Sequence, residues 1–335
     1  MKKYNVGILG ASGAVGREMI KVLEERRFPI NTLKLFASER SVGKRVPFAG
    51  GELTIELADL GAFHGLDFVL GAASNAVAKQ FAQDIVDSGA IFIDNSSAFR
   101  MDPDVPLVVP EINAEDAINN KKGIISNPNC STIITLVAVN AINRLSRIRG
   151  IVASTYQATS GAGAAGPVEL DDQMRAIVNG GEITNSVFQY QIAENLIPHI
   201  GSFLENGYTT EEMKMQNEGR KILHNSDLKV TCTCVRVPIV RSHSISATII
   251  TEEKLSVDQV KAAIADCAGC RLYDDVENKI YPMPLVTSDQ DLVYVGRIRE
   301  DIVNDNAISL WCCGDQVRKG AATNAIQIAE ALIEG

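Results

Sequence analysis

At 335 residues the chain exceeds what one hydrophobic core usually spans, so two domains are expected, and 46% hydrophobic against 22% charged residues excludes a disordered protein. A net charge of -9 and a pI near 5.1 argue against a nucleic-acid surface: no Lys/Arg stripe is present to displace counterions, and no basic run exceeds two residues, as at Arg26-Arg27 and Lys121-Lys122. No segment reaches the ~18 apolar residues of a membrane span and no apolar signal region precedes the first strand, so a cytoplasmic protein is expected, its seven cysteines free thiols.

Residues 5–9 read as a buried strand. Gly10-Ala11-Ser12-Gly13-Ala14-Val15-Gly16 follows, then a helical pattern through Val15, Met19, Ile20, Val22 and Leu23. Strand, glycine loop and helix in succession mark a dinucleotide-binding turn, although the spacing is G-x-x-G-x-x-G instead of G-x-G-x-x-G. Glycines leave no Cβ where a pyrophosphate meets a helix N-terminus. The second strand, 33–37, does not end in the acidic residue that accepts a ribose 2′-hydroxyl but in Ser38-Glu39-Arg40-Ser41. Two hydroxyls and a guanidinium suit a 2′-phosphate, favouring NADP over NAD; a plain solvated loop is the alternative reading. Strand 67–72 with helix 75–87, then strand 90–94 with the loop Asn95 to Arg100, continue the alternation. Such alternation predicts an α/β fold whose N-terminal part is a doubly wound parallel sheet, with ligand at the strands' C-terminal ends. Arg100 stands at such an end, as a ligand-binding group or as a surface charge.

A strand-like run at 123–126 gives way to a helical one at Asn127-Pro128-Asn129-Cys130-Ser131-Thr132-Ile133. Ile133, Ile134, Val137, Ala138, Ala141, Ile142 and Leu145 have helical spacing, and Asn129 is placed to cap them. Cys130 then lies in the first turn, where unpaired N–H groups and the helix dipole favour the nucleophilic thiolate; the other reading is a small buried core residue. Beyond it, strands at 150–157, 229–237, 244–251 and 307–312 are separated by helical stretches at 168–178, 210–223 and 257–268. A second, α+β domain with a mixed, mainly antiparallel sheet is predicted, and a last helix at 319–332 returns to the nucleotide domain. The expected division is 1–128 plus 315–335, and 129–314. The stretch from Tyr156 to Gly166 leaves a strand into a glycine loop, either a connection or a backbone that approaches a ligand closely. Cys267-Ala-Gly-Cys270 has a metal-like gap but no second ligand pair, so no metal site is expected. His64, His199 and His224 read as structural. His243 and Arg236 flank a break at Pro238, where a guanidinium and an imidazole can bind an anion and move a proton over one pocket.

These stretches resemble the aspartate-semialdehyde dehydrogenase family over nearly the whole chain. The matches are Gly10 to Gly16, Ser96-Ser-Ala-Phe-Arg100, Asn127-Pro-Asn-Cys-Ser-Thr132, Tyr156-Gln-Ala-Thr-Ser-Gly-Ala-Gly163, Arg236-Val-Pro with Ser242-His-Ser244, and Arg318-Lys-Gly-Ala-Ala-Thr-Asn324. The resemblance implies a homodimeric, NADP-dependent enzyme on the route from aspartate to lysine, threonine and methionine. It would reductively dephosphorylate L-aspartyl 4-phosphate to L-aspartate 4-semialdehyde through a cysteine thioester. It implies Cys130 as nucleophile, His243 as acid/base and Gln157 as orienter of the acyl group. Arg236 would hold the substrate carboxylate, Arg100 and Lys221 the phosphate, and Glu218 the amino end; the last two rest on a short Asn-Glu-Gly-Arg-Lys match. Ser160, Gly161 and Gln316 would line the nicotinamide, Gln316 standing where Asn is more usual. Two rivals remain open. An acyl-phosphate reductase of the N-acetyl-glutamyl-phosphate type should differ in its cysteine motif, and a nucleotide-binding redox sensor would need Cys130 but neither Arg236 nor His243.

Overall fold

A computed structural model describes residues 2–334 and divides the chain into two units, one running to Asn129 and resuming at Ala321, the other spanning Cys130 to Gly320. The first unit contains β1 (Tyr4–Leu9), α1 (Ala14–Glu25), β2 (Ile30–Ala37), β3 (Arg45–Phe48), β4 (Gly51–Leu57), β5 (Phe68–Gly71), α2 (Asn75–Asp87), β6 (Ile91–Asp94), α3 (Pro110–Ile118) and β7 (Ile124–Ser126). Its sheet has the order β3-β4-β2-β1-β5-β6-β7, parallel throughout except for the β3–β4 hairpin at one edge. Alternate residues of the central strands point to opposite faces, and both faces are covered. Ile8, Leu35 and Leu70 pack into one core, and Leu9, Phe36 and Val69 into another with Phe63 and Phe81. The strand order reverses at β1, between β2 and β5, so the crevice opens just past Leu9 and Gly71.

The second unit contains α4 (Cys130–Asn143), β8 (Ile148–Gln157), α5 (Ala165–Asn179), α6 (Thr210–Ile222), β9 (Lys229–Arg236), β10 (His243–Thr251), α7 (Val257–Ala265), β11 (Cys270–Leu272), α8 (Pro284–Thr287), β12 (Val293–Glu300) and β13 (Ala307–Gly314). The sheet order is β11-β12-β13-β10-β8-β9, with β11–β12 and β8–β9 parallel and the other neighbours antiparallel. Helix α4 is apolar all round and buried from Ser131 to Ile142, as a helix wrapped by its own domain must be. It stops at Asn143, so Leu145, expected on its apolar face, lies beyond the helix and is exposed. One sheet face buries Ile151, Ala153, Ile245 and Ala247; the pleat turns Val152, Ser154, Ser246, Thr248 and Trp311 to the other, where they are half-buried or exposed.

The last helix, α9 (Thr323–Glu334), begins later than expected because residues 318–322 form a wider π turn. It returns to the first unit, packing Ala325, Ile326, Ile328 and Ala329 with Val108 and Ile125. Arg26 clamps Glu330 there with two hydrogen bonds, of 2.8 and 2.5 Å. Among the described residues no helix is long and apolar enough to cross a membrane.

Candidate active site

Cys130 opens α4 and is half-buried, while the other six cysteines are buried. Its Sγ lies 3.4 Å from Nε2 of His243, the fully buried first residue of β10. The other ring nitrogen, Nδ1, accepts the backbone N–H of Ala158 at 3.1 Å. A neutral imidazole whose Nδ1 accepts must carry its proton on Nε2, so an N–H faces the sulfur. Burial, reinforced by the Arg236 charge, pushes His243 down to about 3 against the opposing pull of Glu211. The ring is therefore neutral at ordinary pH, its tautomer set by a main-chain amide.

Arg236, at the end of β9, sits in register with Gln157, at the end of β8. Its Nη1 donates to Ala158 O at 2.6 Å, and its guanidinium lies over the Phe188 ring at 5.9 Å. Burial lowers its pKa, opposed by the charges of Cys130, Glu211 and Cys234. Gln157 Nε2 donates to Ser131 Oγ at 2.7 Å and approaches Glu211 Oε1 at 3.4 Å, while the other Glu211 oxygen holds Lys214 Nζ at 2.7 Å. Gly161 closes the group: a Cβ there would stand 2.8 Å from Arg236 Nη1 and 3.2 Å from His243 Cε1. A thiol, an N–H donor, a guanidinium and a carboxylate thus share one side of the second unit.

Glu218 and Lys221 are not brought to this group, which corrects their expected place. Helix α6 runs antiparallel to β9, Glu212 accepting the N–H of Cys234 and Gln216 that of Val230, so the first turn of α6 faces the Arg236 end of the strand. Glu218 lies seven residues beyond Glu211, roughly 10 Å down the axis at 1.5 Å per residue. The acid beside Gln157 is Glu211. The sequence held a signal for it: the capping box Thr209-x-x-Glu212 marks the helix start and puts Glu211 in the first turn.

In the first unit Arg100 is buried, not a surface charge. Its Nε donates to Asn127 O at 3.0 Å and its Nη2 to Asn95 O at 2.9 Å, so carbonyls at the ends of neighbouring strands orient the fork. A cavity of about 540 Å³ opens at the switch point, lined by Gly10, Ser12, Gly13, Ser38 and Arg40 among others. Two features fit it to a dinucleotide. Gly10 is left-handed at φ 91°, and a Cβ on Gly16 would stand 2.3 Å from Gly10 O, so the loop folds onto the start of α1 only with glycines. No side chain caps α1 at Gly13, leaving its first-turn N–H groups for a phosphate. Ala11, Ala14 and Val15 frame this turn without lining the cavity. Ser41, expected beside the 2′-phosphate, is also absent from the lining: its backbone N–H closes a tight turn on Ser38 O and the residue is buried.

The depressed His243 pKa has a consequence for stability. The unfolded chain takes up this proton below its ordinary pKa of 6.5, the folded chain only near 3, so between those values the unfolded state binds more protons and stability falls as the pH falls. The slope approaches about 1.4 kcal/mol per pH unit. Urea unfolding between pH 7 and pH 4 should therefore show a shallower loss for His243→Gln than for the wild type; parallel slopes would assign the loss to other groups.

Two family descriptions match the chain: "Semialdehyde dehydrogenase, NAD binding domain" over residues 5–120 and "Semialdehyde dehydrogenase, dimerisation domain" over residues 140–319. The aspartate-semialdehyde dehydrogenase of Synechocystis sp. is 48% identical over 329 residues, 98% of this chain and 97% of that protein. The crystal structure of aspartate semialdehyde dehydrogenase II from Vibrio cholerae, complexed with ASA, is 41% identical with a TM-score of 0.97, covering 100% of this chain and 99% of that one. The aspartate semialdehyde dehydrogenase of Candida albicans, solved with NADP, is 25% identical with a TM-score of 0.78, covering 99% of each chain.

Proposed function

The chain belongs to the aspartate-semialdehyde dehydrogenase family of amino-acid biosynthesis, and from that premise we propose that it reduces L-aspartyl 4-phosphate to L-aspartate 4-semialdehyde with NADPH, through a thioester on Cys130. The observation that carries the chemistry is the 3.4 Å approach of His243 Nε2 to Cys130 Sγ, with the proton on Nε2. That N–H, together with the start of α4, holds the sulfur as thiolate. The thiolate attacks the acyl carbon, a C–S bond forms, and the C–O bond to phosphate breaks. Arg236 takes the substrate carboxylate and Glu211 the ammonium, Gln157 orients the acyl group, and Arg100 takes the phosphate. When bound, NADPH supplies the hydride that brings the acyl group to the aldehyde level. The C–S bond then breaks and the sulfur returns to the His243 N–H as thiolate, so the imidazole need not change its protonation state. Donation of a hydrogen bond, not shuttling of a proton, is the role its locked tautomer suits.

Gly10, Ser12, Gly13 and the start of α1 would hold the pyrophosphate, Ser38 and Arg40 the 2′-phosphate, and Ser160 and Gly161 the nicotinamide end. On the second unit the sheet face carrying Val152, Ser154, Ser246 and Thr248 is half-buried or exposed, α8 meeting the same face at Cys313 through Thr287. A second copy of the chain on that face would make the homodimer.

The test is NADPH formation from aspartate semialdehyde, phosphate and NADP+, with NAD+ and N-acetyl-glutamate semialdehyde as parallel arms. Turnover is expected with aspartate semialdehyde and NADP+; turnover with the N-acetylated substrate alone overturns the reading. In the same assay Arg40→Ala should weaken NADPH by about 1–3 kcal/mol, the loss of a charge-assisted contact, and spare NADH. Equal losses for both cofactors would show that Arg40 does not read the 2′-phosphate.

A further inference from the structure

Ser242, immediately before His243, is fully buried and has φ 73°, a left-handed conformation uncommon outside glycine. Two consecutive residues after β13 hold the turn that contains it. Gln316 Oε1 accepts the Ser242 N–H at 2.8 Å, and Gln316 Nε2 donates to Ser160 Oγ, whose own hydroxyl donates to Val240 O. Asp315, fully buried, takes Arg241 Nε at 2.6 Å and also the N–H groups of Asp289, Val317 and Arg318. From the other side the turn is tied to residues 159 and 160, whose N–H groups donate to Ile239 O and Val240 O. Gln316 is 3% exposed, and both ends of its amide are engaged within this turn.

We propose that Gln316 is a positioning residue for His243: by holding Ser242 left-handed it sets where β10 starts, and so where the Nε2–H stands against Cys130 Sγ. The proposal rests on the reading of His243 as the thiolate's hydrogen-bond donor. If Ser242 relaxes to negative φ, the 242–243 peptide rotates and the ring loses its alignment between Ala158 N–H and the sulfur. A displacement of that kind, about 1 Å, is enough to cost on the order of a hundredfold in rate.

The test reads the sulfur directly. Iodoacetamide alkylation of Cys130 is timed at pH 7 on the full chain without cofactor, beside kcat and the NADPH constant. Gln316→Met, which keeps volume and loses both hydrogen bonds, should slow alkylation and kcat at least about tenfold, the alkylation in the absence of any cofactor. Gln316→Glu, which keeps the acceptor for Ser242 N–H, should restore alkylation to near the wild-type rate, and adding Ser242→Gly to Gln316→Met should recover part of it, since glycine adopts the left-handed conformation unaided. Should Gln316→Met not fold, Gln316→Asn, too short to reach Ser242, replaces it against Gln316→Glu. A raised NADPH constant with unchanged alkylation overturns the proposal in favour of a cofactor contact. His243→Gln separates the two levels: if it leaves alkylation and kcat unchanged, the reading of His243 fails and the proposal with it; if it slows both while neither Gln316→Met nor Gln316→Asn does, the proposal alone fails.

Discussion

Cys130→Ala should lower turnover at least about 10,000-fold, the scale on which enzymes lose rate when a covalent nucleophile is deleted. NADPH affinity should change little, because the proposed cofactor residues of the glycine loop and of Ser38 and Arg40 lie in the other unit, and the substitution removes only a sulfur from a half-buried position. Iodoacetamide should modify Cys130 first in the wild type. The remaining thiols are buried, and burial pushes Cys312 and Cys313 upward, while the neighbouring Cys234 together with burial does the same for Cys232, so these carry little thiolate. Stopped assays with a tight-binding titration of NADPH on the same preparation decide it, and comparable turnover in the alanine variant sinks the thioester mechanism.

The two arginines should fail in different assays. In the oxidative direction aldehyde and inorganic phosphate enter as separate substrates, so each anion's constant is measurable alone. Arg236→Lys keeps a charge but not the planar fork, and it gives up the bond to Ala158 O and the stacking over Phe188. Semialdehyde kcat/KM should fall by on the order of a hundredfold, because the carboxylate anchor also aims the carbonyl at the sulfur. Arg100→Lys cannot span the carbonyls of Asn95 and Asn127 that orient the guanidinium, and should raise the phosphate constant by about tenfold with a smaller effect on aldehyde. A swapped or identical pattern across the two variants and two constants refutes both assignments, and with them the pose in which Cys130 faces the side-chain acyl carbon.

The chain's order of residues determined by itself whatever depends on near neighbours. The glycine loop from Gly10 to Gly16 between an apolar run and a helical pattern specifies a nucleotide turn because only glycines let that loop close onto its helix. Helix α2 runs over residues 75–87, as its periodicity requires, and the alternation of strands and helices dictates a parallel sheet. Cys130 at the head of a helix is equally local, as the switch from apolar run to helical spacing at Asn129 shows. The β3–β4 hairpin at the sheet edge was not legible, since strands so largely exposed carry little apolar periodicity. Tertiary packing settles which end of an element reaches the site. Glu211 and Glu218 are both buried acids on one helix; the capping box places Glu211 in its first turn, but the antiparallel packing of α6 on β9 is what turns that end toward Arg236. His243 is a histidine in any fold, but its neutrality and its Nε2 proton come from burial beside Arg236 and from the N–H of Ala158, 85 residues away in the chain. Local backbone preference is written residue by residue, whereas a proton's position depends on groups that meet only after the strands have paired.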